Sequence, residues 1–186
     1  MKLLRSVRTQ MVMAALLLLP ALAVAQDTDK QKLIEVEKAF AAQPNAGPQL
    51  AALVKQYLYD GPVSQLTGQG QVGTLSKSRV VELNSKPNPS DPNFKSSTSL
   101  SDFHVEIYGE TGLVAYKMTN TDKGHKDAAL NATDYYGCLD TFVKRNGQWY
   151  LVGTACSPAE PLPQAEWNAA KKAMAQQPKD VQDAYH

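Results

Sequence analysis

The sequence predicts an α+β domain: N-terminal helices packed in a curved antiparallel sheet, with a C-terminal helical tail. Two observations carry this. Apolar residues recur at helical spacing through residues 29–57, whereas beyond residue 98 the chain alternates apolar and polar side chains over long runs. The last two of those runs flank Asn146-Gly147, the strongest short signal for a two-residue type I′ hairpin. Helices first and a meander of strands afterwards is the α+β order.

Each element has its own reason. Residues 29–42 place Leu33, Val36, Glu37 and Phe40 on one helical stripe, widened by Ile34 and Ala41. Gln43 to Gly47 breaks that helix. Pro48 suits a first helical turn, and Leu50, Leu53, Val54 and Tyr57 make a second helix that ends at Asp60-Gly61-Pro62. Residues 63–75 read as a weak hairpin around Gly68 to Gly70. Ser76 then caps a short helix carrying Val80, Val81 and Leu83. Lys86 to Ser97, with Pro87, Pro89 and Pro92, reads as a loop that can act as a lid.

The β half starts at Ser99. Up to Tyr108 it sets Phe103, Val105 and Ile107 on one face and Asp102, His104, Glu106 and Tyr108 on the other. Gly109 to Gly112 turns it into a strand over Leu113 to Thr119. A polar loop, Asn120 to Asp127, leads to the closing hairpin of Asn131 to Cys156. Pro158, Pro161 and Pro163 stop the sheet, and residues 164–177 read as one helix with Trp167, Ala170 and Met174 on a side.

The amino terminus has the form of a cleaved export signal. Lys2, Arg5 and Arg8 precede the short apolar core Met11 to Leu19, and Ala23-Val24-Ala25 supplies a small-x-small cleavage site with Gln26 as the mature start. The apolar run falls short of the roughly 20 residues that span a bilayer. The expected division is therefore a signal over 1–25, one domain over 26–157 and a Pro-containing tail over 158–186, in the periplasm or secreted, with no membrane anchor after cleavage. Removing the signal takes three of the 19 Lys and Arg and none of the 18 Asp and Glu, which leaves a net charge of −2. Nucleic acid is not an expected partner, because such a surface needs clustered basic charge.

Both cysteines, Cys138 and Cys156, lie in the closing hairpin. In an oxidising compartment a disulfide is the simplest reading, against two separate thiols. A two-residue turn pairs Arg145 with Gln148, and continuing that register sets Cys138 opposite Ala155, with Cys156 on the other face. One bulge residue brings the sulfurs together, and Gly137 and Gly153 are the candidate places for it.

For chemistry, Asp102, His104 and Glu106 are neighbours about 6.6 Å apart along one strand face. They read as a general base with an orienting acid and Tyr108 as donor, as a mixed nitrogen and oxygen metal set, or as an ordinary solvated sheet face. The solvated face is the default, so no metal or cofactor is assigned, and Asp102, His104 and Tyr108 are the weak catalytic candidates. Asp134, Tyr135, Tyr136 and Asp140 form a second polar and aromatic set, which cross-strand pairing explains equally well. His125 and His186 read as solvated. Gly68-Gln69-Gly70 lacks the rest of a phosphate loop, and no Gly-x-Ser-x-Gly elbow occurs.

Leu33 to Glu37, Thr74 to Ser78, Val105 to Ala115 and Phe142 to Val152 come in an order and spacing that resemble the nuclear transport factor 2-like superfamily. That superfamily is the cone fold shared with SnoaL-like polyketide cyclases and ketosteroid isomerases. The resemblance covers roughly residues 30–156 and is nearest to the exported bacterial branch. It implies a sheet wrapped partly around the helices, a pocket at the open end of the cone for a small apolar or amphipathic molecule, and homodimers through the sheet. Within such a cone Tyr116, Asp134, Tyr136 and Trp149 are the pocket candidates, although Trp149 also reads as core packing. Isomerase chemistry needs a tyrosine and two acids in set roles. The first helix offers no tyrosine, and the acids find no matching positions. The expected function is an exported small-ligand or partner-binding protein; the alternatives are a SnoaL-like or isomerase-type enzyme using an acid or base in the cone, and a module that associates through its sheet.

Overall fold

The computed structural model describes residues 25–43, 46–66, 70–85, 93–160 and 163–184. The export signal up to residue 24, the tip of the first hairpin at 67–69, the proline-rich lid segment at 86–92 and His186 lie outside the described residues. The elements are α1 (25–41), α2 (Pro48–Tyr57), β1 (Pro62–Leu66), β2 (Val72–Ser76), α3 (Lys77–Asn84), β3 (Lys95–Tyr108) and β4 (Thr111–Lys123). After a 3-10 turn at Ala128–Leu130 come β5 (Thr133–Arg145), β6 (Gln148–Pro158), α4 (Gln164–Ala175) and α5 (Lys179–Ala184).

One six-stranded sheet runs in the order β2-β1-β6-β5-β4-β3. Its pairs are antiparallel except β1 with β6, which run parallel. The helices pack on one face, where Leu33 and Val36 of α1 and Val54 of α2 join Val63, Val114, Phe142, Trp149 and Leu151 in the core. Gly112 permits the closest approach, since a Cβ there would lie 2.5 Å from Leu33 Cδ1. The helix–sheet spacing at this point therefore needs a residue without a side chain.

The hairpin forms as its sequence dictates. Asn146 and Gly147 both have positive φ, 53° and 79°, as a type I′ turn requires. Arg145 pairs with Gln148 and the register holds to Phe142 with Leu151. It then shifts by one, so that Thr141 pairs with Gly153 and Cys138 with Cys156. Val152, beside Gly153, is the extra residue. This bulge puts the two sulfurs on one face, and they form a disulfide with Cα atoms 4.2 Å apart.

Four boundaries differ from the sequence reading. β3 begins at Lys95 and β4 continues to Lys123, where a polar loop was expected. A side-chain ladder extends the pair: Ser96 Oγ and Thr98 Oγ1 each donate to Asn120 Oδ1 at 3.0 Å, and Asn120 Nδ2 donates to Asp122 Oδ1 at 3.0 Å. β3 also carries a bulge between Ser101 and His104, with Asp102 at φ 54°, a conformation that aspartate tolerates. The tail holds two helices, because Pro178 interrupts the expected one and its carbonyl starts α5 by accepting from Val181 and Gln182. Finally, α5 is docked: Val181 is buried and Arg79 Nη2 of α3 donates to Asp180 Oδ1 at 2.9 Å. The Ser76 cap forms as expected, accepting from Arg79 N at 3.3 Å.

Candidate functional site

The register sorts the helix-facing side of the sheet into rows. Val114, Asp140 and Thr154 form one; Tyr116, Cys138 and Cys156 the next; Met118, Tyr136 and Pro158 the third. Burial falls along that series. Val114 and Asp140 are closed off from solvent, Tyr116 and Cys138 nearly so, and Cys156, Met118 and Tyr136 are half-buried. The cone therefore opens at the third row, beside the 3-10 turn against which α4 packs.

At the bottom of this gradient lies a polar set inside an apolar core. Glu37 of α1 is 4% exposed and Asp140 of β5 is 3% exposed. Tyr116 Oη donates to Asp140 Oδ2 at 3.1 Å. Glu37 Oε1 and Asp140 Oδ1 are buried and have no donor in the protein. Burial pushes the Glu37 carboxyl well above the usual carboxylate range, and the neighbouring charge of Asp140 and their mutual hydrogen bond push it further. Burial also raises Asp140, but hydrogen bonds from Thr154, Glu37, Tyr116 and the Ala155 backbone favour its charged form. Glu37 therefore holds the proton, and Asp140 carries the single negative charge of the pair. Burial and both carboxyls push the Tyr116 phenol upward, so it remains a neutral donor.

This set arises from simple periodicities. Glu37 follows Leu33 by one helical turn and so joins the core stripe. Tyr136, Cys138, Asp140 and Phe142 alternate onto the inner face of β5. An acid on each of these apolar faces was the signal available in the sequence. Glu37 and Asp140 were read there as stripe and strand residues, not as a pair.

The predicted pocket residues divide between the two ends. Tyr116 reaches Asp140, and Asp134 and Tyr136 lie on the same strand face toward the opening. Trp149 is at the other end, 3% exposed, where its Nε1 donates to Asp29 Oδ1 at 2.9 Å. Lys144 Nζ donates to the same carboxylate at 2.7 and 2.8 Å and rests 5.4 Å from the Trp149 ring centre. Burial raises the Asp29 carboxyl, and the hydrogen bonds from Lys144 and Trp149 with the lysine charge more than offset it, leaving it below its ordinary value. These contacts pin the start of α1 to the hairpin beside a cleft of about 380 Å³. Trp149→Phe removes one hydrogen bond to a charged acceptor while keeping the ring. The expected loss is about 1–2 kcal/mol in urea unfolding; an unchanged midpoint would contradict this anchoring role.

The acid–base candidates of β3 lie elsewhere. Asp102, His104 and Tyr108 project from the outer, helix-free face, with the His104 side chain 76% exposed. Asp102 pairs with Lys117 at 2.7 Å and His104 Nε2 lies 3.4 Å from Glu106 Oε1. Among the described residues, no three His, Cys, Asp or Glu side chains gather to hold a metal ion.

No protein-family model matches the sequence, and no curated protein matches it. Solved structures match at the level of fold. A nuclear transport factor 2-like superfamily protein from Salmonella enterica is 17% identical, covering 76% of this chain and 98% of its own, with a TM-score of 0.58. A nuclear transport factor 2-like protein of unknown function from Prochlorococcus is 14% identical, covering 74% and 98%, at 0.51. The CaMKII hub of S. rosetta is 17% identical, covering 69% and 95%, at 0.50. The fold is therefore the nuclear transport factor 2-like cone, with an unclosed six-stranded sheet wrapped against the helices.

Proposed function

We propose that this protein is an exported binder of a small amphipathic molecule, which enters the open end of the cone and meets Glu37, Asp140 and Tyr116. The supporting observation is the pair of donor-less carboxylate oxygens buried in an apolar interior. Buried acids do not favour folding over well-packed apolar residues, so their convergence at one point fits a binding site better than a structural role. The half-buried Met118, Tyr136 and Phe103 supply apolar surface at the opening. Export rests on the basic and apolar pattern before Ala25. Catalysis is the weaker reading, because the one histidine considered for it, His104, faces solvent on the opposite side. Nile red, a neutral apolar dye, should bind the folded chain saturably with a Kd of about micromolar order, and Met118→Asp should weaken it about tenfold. Absence of saturable binding would overturn the proposal.

A second reading, self-association through the outer face, has its own observation. The outward positions of β5 from Thr133 to Val143 carry no charge, unlike an ordinary solvated sheet face. Leu139, 46% exposed, lies between Ala115 and Ala155, with Leu66 next in the row. They line a concavity of about 510 Å³ whose neighbouring position is Gly137. Under a twofold axis crossing β5 between them, each Leu139 would seat over the partner's glycine position. Light scattering should give a dimer mass at about micromolar concentration, and Leu139→Arg should give a monomer. A wild-type monomer would exclude this interface.

A further inference from the structure

The charge balance around the buried pair narrows what the cone can hold, and this step rests on the cone-binding proposal above. The groups acting on Glu37 and Asp140 are each other, Tyr116, Thr154 and the Ala155 backbone; none is positively charged. The lysines of the adjoining elements are engaged elsewhere. Lys30 lies 3.8 Å from Glu106, Lys38 rests over the Phe103 ring at 5.6 Å from its centre, and Lys144 is bound to Asp29. One proton shared by the pair satisfies its hydrogen bonding but leaves one negative charge in a low-dielectric interior, a costly state unless a counter-charge arrives.

We infer that the ligand is an amphipathic ammonium compound, with its charged head donating to Glu37 Oε1 and Asp140 Oδ1 and its apolar body along Met118, Tyr136 and Phe103. An ammonium supplies both things the site lacks, a donor for those two oxygens and the missing positive charge. The aromatic walls fit the same head group. Phe103 and Tyr116 are 5.7 Å apart between ring centres, immediately above the pair, and Lys38 shows that the Phe103 face accepts an ammonium. A carboxylate or phosphate head would meet like charge, and a neutral alcohol would offer a donor without the charge.

The test is displacement of Nile red from the full mature chain by octylamine, octan-1-ol and octanoate at neutral pH. The amine should displace the dye at a concentration about tenfold or more below the alcohol, with octanoate weakest. Glu37→Gln leaves the charge on Asp140 and should keep that order. Asp140→Asn removes it and should bring amine and alcohol to within about twofold. Equal displacement by amine and alcohol from the wild type overturns the inference whatever the variants do, and so does displacement led by octanoate. Dye binding with no displacement by any of the three also overturns it while leaving the cone-binding proposal standing; no dye binding removes both.

Discussion

Glu37→Gln should make the chain more stable, by about 1–4 kcal/mol in mildly alkaline buffer, with most of the gain disappearing near pH 5. The sign follows from both carboxyls titrating above their ordinary values in the folded state. A raised acid favours folding fully below its unfolded pKa, and that contribution is lost as pH rises through the folded value. The wild type should therefore weaken steadily from about pH 5 to pH 9, as deprotonation strips the shared proton from a site closed to water. Glutamine keeps the shape of glutamate and a donor toward Asp140, so the slope should flatten. A parallel pH profile for both proteins, followed by urea unfolding, would show that the pair does not share a proton. A variant that gains stability and changes binding is the pattern expected of residues kept for function rather than folding.

Loss of the Cys138–Cys156 disulfide carries the other large effect. The bond closes 18 residues of chain, which corresponds to about 3 kcal/mol of lost unfolded-state freedom. It also locks the register shift at Val152, because only with that bulge do the two cysteines face each other. Reduced protein, or the double Cys→Ala variant, should unfold about 3 kcal/mol more easily in guanidinium. Since Cys138 and Tyr116 are register partners one row above Asp140, the loosened hairpin should also raise solvent access to the acid pair. A difference below about 1 kcal/mol would mean that the Asn146-Gly147 turn holds the register alone.

The sequence makes local chemistry legible and distant pairing illegible. The turn at Asn146-Gly147, the Ser76 cap and the bulge beside Gly153 each depend on residues within a few positions, and each is present in the structure. The parallel pairing of β1 with β6 depends on residues some ninety positions apart and has no local signature. The bulge at Asp102 was equally hidden, because an aspartate in a left-handed conformation carries no glycine or proline to mark it. That bulge explains why Leu100 and Phe103, three residues apart, both pack against the core.

The site followed the same rule. Attention to a histidine led to the β3 face, where His104 proves solvated. The buried acids were visible as single oddities, Glu37 in an apolar helical stripe and Asp140 in an apolar strand face. Their convergence with Tyr116 needed α1 to be placed against β4 and β5, which no periodicity supplies.

The most direct test of this account is a carbon-13 NMR titration of the side-chain carboxyls of Glu37 and Asp140 in the intact mature chain. The account predicts that at neutral pH Glu37 is still protonated while Asp140 is ionised, the two titrating as a coupled pair. Two carboxyls both fully ionised at neutral pH would contradict it, and the cone would then be lined by ordinary acids rather than ending in a shared proton.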